Sequence, residues 1–219
     1  MNRVLKVGDQ LPTEPELMRQ FDVSRITVRQ ALGQLASARL IDRRPGLGTF
    51  VAPPRIEQEL KRLTGFVEDM DALQLRATAK VVRITRVPAD AEVAARLRLD
   101  SGTSVTYLER VRLANEEPLS FDVTYLPEDI GERVETENLE VNPVFSLLED
   151  KYGISLGEAD YAIEASQASR VVGGHLGVKP GSPILLIERT TYSAAGRPID
   201  YEKLHYRGDR LRYRMKLKR

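Results

Sequence analysis

Residues 11–51 constrain the fold of this chain most, because two helix patterns and a glycine hairpin follow one another there in direct succession. Thr13 is suited to cap the first helix, Pro15 is tolerated in a first turn, and the nearby glutamates complement the positive end of the helix dipole. Ser24 is suited to cap a second helix, which we expect to cover about 25–38. Short helices joined by so tight a turn predict a helix-turn-helix.

A basic hairpin completes this part of the chain. The segment 40–51 reads as strand, turn and strand, and Gly46 and Gly48 permit a tight turn with a close approach of the backbone. Arg43 and Arg44 stand beside the turn, where they can reach a phosphate backbone or a minor groove. A hairpin of this kind directly after a helix pair predicts a winged helix-turn-helix.

The start of the second helix carries the side chains that such a module presents to the major groove of DNA. Arginine binds guanine bidentately or pairs with phosphate, and threonine contacts phosphate or a thymine methyl group. The predicted contacts are Ser24, Arg25, Thr27, Arg29 and Gln30 on the helix, with Arg43 and Arg44 on the wing. A solvated helix face is the alternative interpretation, and the sequence does not separate base contacts from phosphate contacts.

The charges are divided unevenly along the chain. Residues 1–55 hold nine Lys/Arg and five Asp/Glu, a net charge of +4, whereas the other 164 residues hold 24 and 27, a net charge of −3. A basic module joined to an acidic one is typical of a nucleic-acid reader with a separate second domain.

There is no cysteine and there are only two histidines, so we expect no metal and no cofactor. No apolar run approaches the roughly 20 residues of a membrane span, and no signal peptide is visible, so we expect a cytoplasmic protein with no membrane partner.

The N-terminal motifs resemble those of the GntR family of bacterial transcription regulators. The resemblance is carried by LPTE at 11–14, by VSR and TVRQAL within 23–32, and by GLGTFV at 46–51. It implies that the wing around Gly48 also contacts DNA. The family has a full helix ahead of the position of Gly8, but only seven residues precede it here, so we expect a truncated first helix.

The rest of the chain contains a weak internal repeat with a spacing of 79 or 80 residues. The recurring pairs are Gly102 and Gly181, Glu109 and Glu188, Arg110 and Arg189, Pro118 and Pro198, and Asp122 and Glu202. Each copy reads as helix, glycine turn, strand, hairpin and strand. This order predicts a curved antiparallel sheet with flanking helices and a cleft between two equivalent halves. Chance agreement is the alternative interpretation.

From about Thr64 onward the chain resembles the UTRA effector domain, which marks the HutC-type branch of the family and shares its fold with chorismate lyase. The motifs are TGFVEDM at 64–70, ERVR at 109–112 and YRGDR at 206–210. The resemblance implies an α+β fold, with a winged helix-turn-helix over 1–51, a linker over 52–63, and a chorismate-lyase-like antiparallel sheet domain for effector binding and dimerisation over 64–219.

Paired arginines predict a binding site for an anion in the second domain. Arg110 and Arg112 share one face of a strand, and Asp122 on the partner strand is placed to reach the same cleft. Two guanidiniums beside a carboxylate suit an anionic ligand that also donates a hydrogen bond. The resemblance implies an effector site of Phe66, Val67, Arg110, Arg112, Asp122, Asp200 and Tyr206, and Phe145 and Glu202 complete the predicted set. A solvated sheet face with ordinary cross-strand pairs is the alternative.

Sensors of amino-sugar phosphates carry hydroxyl groups where Val67 and Pro143–Phe145 stand here, so we expect a smaller or more apolar acid. The combined expectation is a dimeric repressor whose affinity for a palindromic operator in double-stranded DNA is controlled by a small anionic metabolite. A lyase-like enzyme acting on an aromatic enol-pyruvyl acid is one alternative, although no catalytic triad or phosphate-binding glycine loop is visible. A DNA-binding protein whose second domain only dimerises is the other.

Overall fold

The computed structural model describes residues 5–44 and 46–217 and has the predicted α+β fold. The chain divides into two compact units, residues 1–56 and 57–219. This division lies inside 52–63, the range predicted as a linker. Among the described residues the longest helix has 13 residues, and none combines the length and apolar composition of a membrane crossing.

The first unit contains two helices followed by a two-stranded antiparallel wing, as predicted. The elements are α1 (Glu14–Phe21), α2 (Arg25–Ser37), β1 (Ile41–Arg44) and β2 (Gly48–Val51). The truncated first helix was expected within 1–7, of which residues 1–4 lie outside the described residues. Val7 and Gly8 form a turn.

Side-chain caps fix the boundaries of the two helices. The Glu16 carboxylate accepts hydrogen bonds from the Thr13 backbone N–H at 2.8 Å and from the Thr13 hydroxyl at 2.7 Å. Asp22 has a φ of 49°, which ends α1 in the left-handed region. The Ser24 hydroxyl then accepts a hydrogen bond from the Thr27 N–H at 3.2 Å and starts α2.

The core of the first unit is small. Val28, Leu32 and Ile41 are buried, and four partly buried residues pack against them, namely Leu11, Leu17, Met18 and Ala36. Ile26 also fits the helical spacing of the apolar residues, but it is 71% exposed because it lies two residues from the buried Val28 and so on nearly the opposite side of the helix. Phe21, the last residue of α1, is 63% exposed.

The second unit is built on a six-stranded antiparallel sheet in the order β4-β5-β6-β9-β8-β7. A separate pair joins β3 to β10. The strands are β3 (Ile56–Glu59), β4 (Ala77–Pro88), β5 (Ser104–Ala114), β6 (Glu117–Pro127), β7 (Leu156–Gln167), β8 (Pro183–Ser193), β9 (Pro198–Arg207) and β10 (Leu211–Arg214). The helices are α3 (Phe66–Ala72), α4 (Ala91–Leu97), α5 (Glu128–Val134), α6 (Val144–Ser146, continued by a π-helical turn at Leu147–Lys151) and α7 (Arg170–Leu176).

The predicted repeat is present as a structural duplication. The order β4, α4, β5, β6 recurs as β7, α7, β8, β9, and the first three elements of each copy begin 79 residues apart. The sheet order places the two copies back to back across the β6–β9 pair. Asn115 and Glu116, with φ values of 49° and 68°, form the two-residue turn of the first hairpin, and the second turn is longer.

Each face of the sheet is covered by a different set of helices. On one face, α4 packs Val93 and Leu97 against Val105, and α7 packs Val172 and Leu176 against Phe121. On the other face, α5 and α6 pack over Leu108 and Leu126. Side chains alternate along each strand, so the even-numbered residues of β5 point toward α5 and α6. The face under α5 and α6 carries the buried charged residues Arg110, Asp122 and Glu202.

Candidate functional site

Two arginines on the first turns of α2 share one acidic partner. Arg25 Nε lies 3.2 Å from Glu14 Oε2, and Arg29 Nε lies 4.0 Å from Glu14 Oε1. The two arginines are four residues apart and therefore lie on the same side of the helix. Their side chains remain 70% and 65% exposed. Glu14 thus holds two guanidiniums side by side at the surface, where they can reach a polyanion.

All eight residues predicted to contact DNA are exposed in the first unit. Five lie on α2 or at its cap, and three lie on the wing. Ser24 is committed to capping α2, whereas Thr27 and Gln30 leave their side chains exposed. On the wing, the Arg44 guanidinium lies 4.8 Å from the centroid of the Phe50 ring, which positions it beside the turn.

Gly48 has a structural reason to be glycine. Its φ is +124°, a conformation that side-chain-bearing residues rarely adopt, and a Cβ there would overlap the side-chain amide of Gln10. That amide donates a hydrogen bond of 3.0 Å to the Leu47 carbonyl and so ties the tip of the wing to the preceding segment. Sequence reasoning found the wing but missed both Glu14 and Gln10, whose roles depend on contacts between elements.

The second unit contains a cavity of about 100 Å³ on the face of the sheet below α6. Six of the nine predicted effector residues line it, namely Phe66, Val67, Arg110, Arg112, Phe145 and Glu202. Among the described residues, the other three predicted ones do not line it, namely Asp122, Asp200 and Tyr206. Arg189 lines the cavity and was missing from the predicted set. The repeat contained the signal for it, because Arg189 is the counterpart of Arg110 in the second copy.

Three guanidiniums surround the carboxylate of Glu202. Arg110 Nη2 lies 3.7 Å and Arg112 Nη2 lies 3.6 Å from Glu202 Oε1, while Arg189 pairs with the other carboxylate oxygen. The Thr124 hydroxyl also donates to Glu202 at 2.8 Å. Burial alone would raise the pKa of Glu202, but the surrounding positive charges outweigh it and hold this pKa at about 2. Glu202 is therefore an anion at neutral pH.

Aromatic rings and a second acid complete the surroundings of these arginines. The Arg112 guanidinium lies 5.3 Å from the centroid of the Phe66 ring, and the Arg189 guanidinium lies 4.7 Å from that of Phe145. Asp122 is fully buried and pairs with Arg112 away from the cavity lining. The aromatic faces attract the cations and exclude water from them.

Arg110 retains unused hydrogen-bonding capacity. Its Nε and Nη2 atoms are buried and make no hydrogen bond within the part of the chain that the structure describes. Burial and the nearby charge of Arg112 lower the pKa of Arg110 to about 10, so the side chain is still protonated at neutral pH. A buried cation with unpaired N–H groups is costly, and an anionic acceptor in the cavity would relieve that cost.

Asp200 and Tyr206 belong to the buried polar face around the cavity rather than to its lining. Asp200 accepts a hydrogen bond of 3.2 Å from the Thr191 backbone N–H. Burial, reinforced by the negative charge of Glu202, raises the pKa of Asp200 to about 6. Tyr206 is buried and packs edge-to-face on Tyr213, with 6.2 Å between the ring centroids.

The raised pKa of Asp200 predicts a pH dependence of stability. An unfolded aspartate titrates near pH 3.9, so between about pH 4 and 6 the folded state binds more protons, and stability falls as the pH rises. Asparagine does not titrate, so Asp200→Asn removes this fall in stability with rising pH. We expect the free energy of unfolding of wild type, relative to Asp200→Asn, to fall by on the order of 2 kcal/mol between pH 4 and 6.5 in urea titrations. Asp100→Asn, at an exposed position, is the control, and parallel curves for wild type and Asp200→Asn would contradict the assignment.

Exposed arginines on a winged helix-turn-helix, together with a cation-lined cavity in a second unit, define the class of DNA-binding regulators with a separate sensory domain. The sequence matches the description "Bacterial regulatory proteins, gntR family" over residues 1–51 and "UTRA domain" over residues 72–212. The chain therefore belongs to the GntR family, with the UTRA domain expected for its HutC-type branch.

Individual relatives agree with this assignment. The chain is 34% identical over 200 residues to the HTH-type transcriptional repressor NagR of Bacillus subtilis, covering 91% of this chain and 82% of that protein. It is 27% identical over 205 residues to the mannosyl-D-glycerate transport/metabolism system repressor MngR of Escherichia coli, covering 94% and 85%. The crystal structure of PhnF from Mycobacterium smegmatis superposes with a TM-score of 0.73 at 28% identity, covering 98% and 94%. The family and these relatives are transcription regulators rather than enzymes, so nothing supports the lyase alternative.

Proposed function

We propose that this regulator acts in the cytoplasm as a homodimeric repressor of a palindromic operator. In this proposal, a small anionic metabolite in the cavity of the second unit controls its affinity for DNA. The observation that carries the ligand proposal is Arg110, a fully buried cation that lines a cavity and has unused donors. A two-fold dimer presents two recognition helices to two half-sites, which is the geometry that a palindromic operator requires.

The DNA contacts in this proposal come from α2 and the wing. Arg25 and Arg29 supply bidentate donors for guanine or phosphate from one side of the helix. Thr27 is also exposed, on a different side of the same turns. Arg43 and Arg44 supply further positive charge on the wing. The dimer aligns two such sets, so each protomer reads one half-site.

The ligand in this proposal is a small acid with an apolar body. Three guanidiniums and two carboxylates, those of Glu140 and Glu202, line the cavity, which leaves one excess positive charge for an anionic group. The opposite wall is largely apolar and includes Val67, Leu139 and Val144. Relatives are named for different metabolites, mannosyl-D-glycerate and fructoselysine among them, so family membership alone does not name this ligand.

A binding screen tests the ligand proposal. The full chain is screened by thermal shift against short aliphatic mono- and dicarboxylic acids and glucosamine 6-phosphate, and hits are titrated by calorimetry. We expect saturable binding of an aliphatic acid that weakens at least tenfold in Arg110→Lys, since lysine does not reproduce the bidentate geometry. Arg83→Lys, at an exposed position on β4, should bind as wild type does. Tight binding of the sugar phosphate with all aliphatic acids inert would contradict the proposal.

A further inference from the structure

Helix α3 has one end at the cavity and makes a side-chain contact with strand β3. Its N-terminal residues Phe66 and Val67 line the cavity. One turn later, the Asp69 carboxylate accepts a hydrogen bond from the Gln58 side-chain amide of β3 and another, at 2.6 Å, from the Thr64 hydroxyl. Phe66 and Asp69 are three residues apart and lie on the same side of the helix. A single carboxylate thus joins the wall of the cavity to β3.

Strand β3 is the segment through which the chain enters the second unit. Ile56 is the last residue of the first unit, and Gln58 follows two residues later. On its other side, β3 pairs with β10, and Glu57 makes ion pairs with Arg212 and Arg214. β3 is therefore the element of the second unit that is continuous in sequence with the DNA-binding unit.

The charge of Asp69 depends on the arginines of the cavity. Burial raises the pKa of Asp69, and the hydrogen bond from Thr64 together with the positive charges of Arg189 and Arg112 opposes that rise. Arg189 and Arg112 are two of the three guanidiniums that line the cavity. An anion bound there opposes their positive potential at Asp69 and makes the charged form of this carboxylate less stable at the point where it holds Gln58.

We infer that the hydrogen bond between Asp69 and Gln58 is the contact through which occupancy of the cavity reaches β3 and the DNA-binding unit. Asp69 acts as a positioning residue, since it lies outside the cavity lining and holds β3 in place. The inference rests on the proposed function, because it requires that negative charge in the cavity changes affinity for DNA.

The test replaces the unidentified ligand by a charge built into the cavity. Val67→Asp adds a carboxylate to the lining, and Val67→Asn is its neutral, nearly isosteric reference. Operator Kd is measured for both in the full chain by fluorescence anisotropy, on the duplex that wild type selects from a random-sequence pool. The same pair is then measured with Gln58→Ala, which removes the contact, and with Glu57→Ala, which removes a different contact of β3.

We expect the Kd values of Val67→Asp and Val67→Asn to differ at least fivefold, in the range typical of allosteric coupling. The ratio should fall to about one with Gln58→Ala and persist with Glu57→Ala. A ratio that persists with Gln58→Ala overturns the role of Asp69 and Gln58 while leaving the proposed function intact. The same ratio of operator Kd values is also measured for Val141→Asp and Val141→Asn, at an exposed residue of the lining. If the ratio is one at both Val67 and Val141 in the otherwise wild-type chain, the proposed function itself is overturned.

Discussion

The double variant Arg25→Ala/Arg29→Ala is expected to lose operator binding while its second unit stays folded. Each good bidentate contact from arginine to a base contributes about 1–3 kcal/mol, so two such contacts contribute about 2–6 kcal/mol, or at least about 30-fold in Kd. Both side chains are largely exposed and, among the described residues, form ion pairs only with Glu14 at the surface, so their removal costs little stability. Gel shifts with the selected duplex measure the loss, and thermal unfolding checks the fold.

Lys6→Ala/Arg19→Ala is the matched control for this variant. It removes the same positive charge from the same unit at two exposed positions outside the predicted contact set. If only general electrostatic attraction held the DNA, both double variants would lose the same operator affinity. If Arg25 and Arg29 make specific contacts, the loss is much larger for their double variant. Undiminished gel shifts with Arg25→Ala/Arg29→Ala would refute the assignment of α2 as the recognition helix.

Glu202→Ala is expected to destabilise the second unit strongly. Glu202 is 2% exposed and faces three guanidiniums, two of them on β5 and one on β8. Removing one partner of a buried ion pair leaves uncompensated charge and costs about 3–5 kcal/mol. We expect the free energy of unfolding of the second unit to fall by about that amount in urea titrations at neutral pH.

Two further variants separate lost charge balance from lost packing. Glu202→Ala/Arg189→Met removes a buried cation as well, so it should recover part of the stability that Glu202→Ala loses. Glu188→Ala, which breaks a partly exposed pair with Arg96, should cost no more than about 1 kcal/mol. A cost for Glu202→Ala as small as that of Glu188→Ala would show that the arginines do not depend on this carboxylate.

Local patterns were sufficient to predict the first unit. The caps at Thr13 and Ser24 and the glycines of the wing act over a few residues, so their effect is visible in the sequence. The sequence does not show whether Ile26 or Val28 faces the core, because both fit a helical spacing and only packing against Ile41 distinguishes them. Likewise, no local pattern pairs Glu14 with two arginines of the following helix.

The internal repeat gave more of the second unit than any single motif. It predicted an antiparallel sheet with two equivalent halves and contained the signal for Arg189 as the counterpart of Arg110, whereas the pairing of β6 with β9 comes from the structure. Strand alternation correctly put Asp122 on the face of Arg110, but it could not show which residues of that face meet the cavity. That depends on where α3 and the segment before α6 cover the sheet, which is set by tertiary packing.

Local sequence patterns were also insufficient to predict the extent of the linker. Residues 56–59 were predicted as part of a charged linker, yet they pair with β10. The pairing partner is more than 150 residues away in the sequence, since Glu57 of β3 pairs with Arg212 and Arg214 of β10. A short polar strand of this kind is stabilised by a distant segment and has no periodicity that sequence reasoning could detect.

The most direct test of the account is the operator Kd of the full chain, measured with and without a saturating concentration of the acid identified in the binding screen. We expect a change of at least fivefold in wild type, and in Arg110→Lys we expect the same change only at acid concentrations at least tenfold higher. Saturable binding of the acid in calorimetry with an unchanged operator Kd would contradict it, because the second unit would then bind a ligand without controlling DNA.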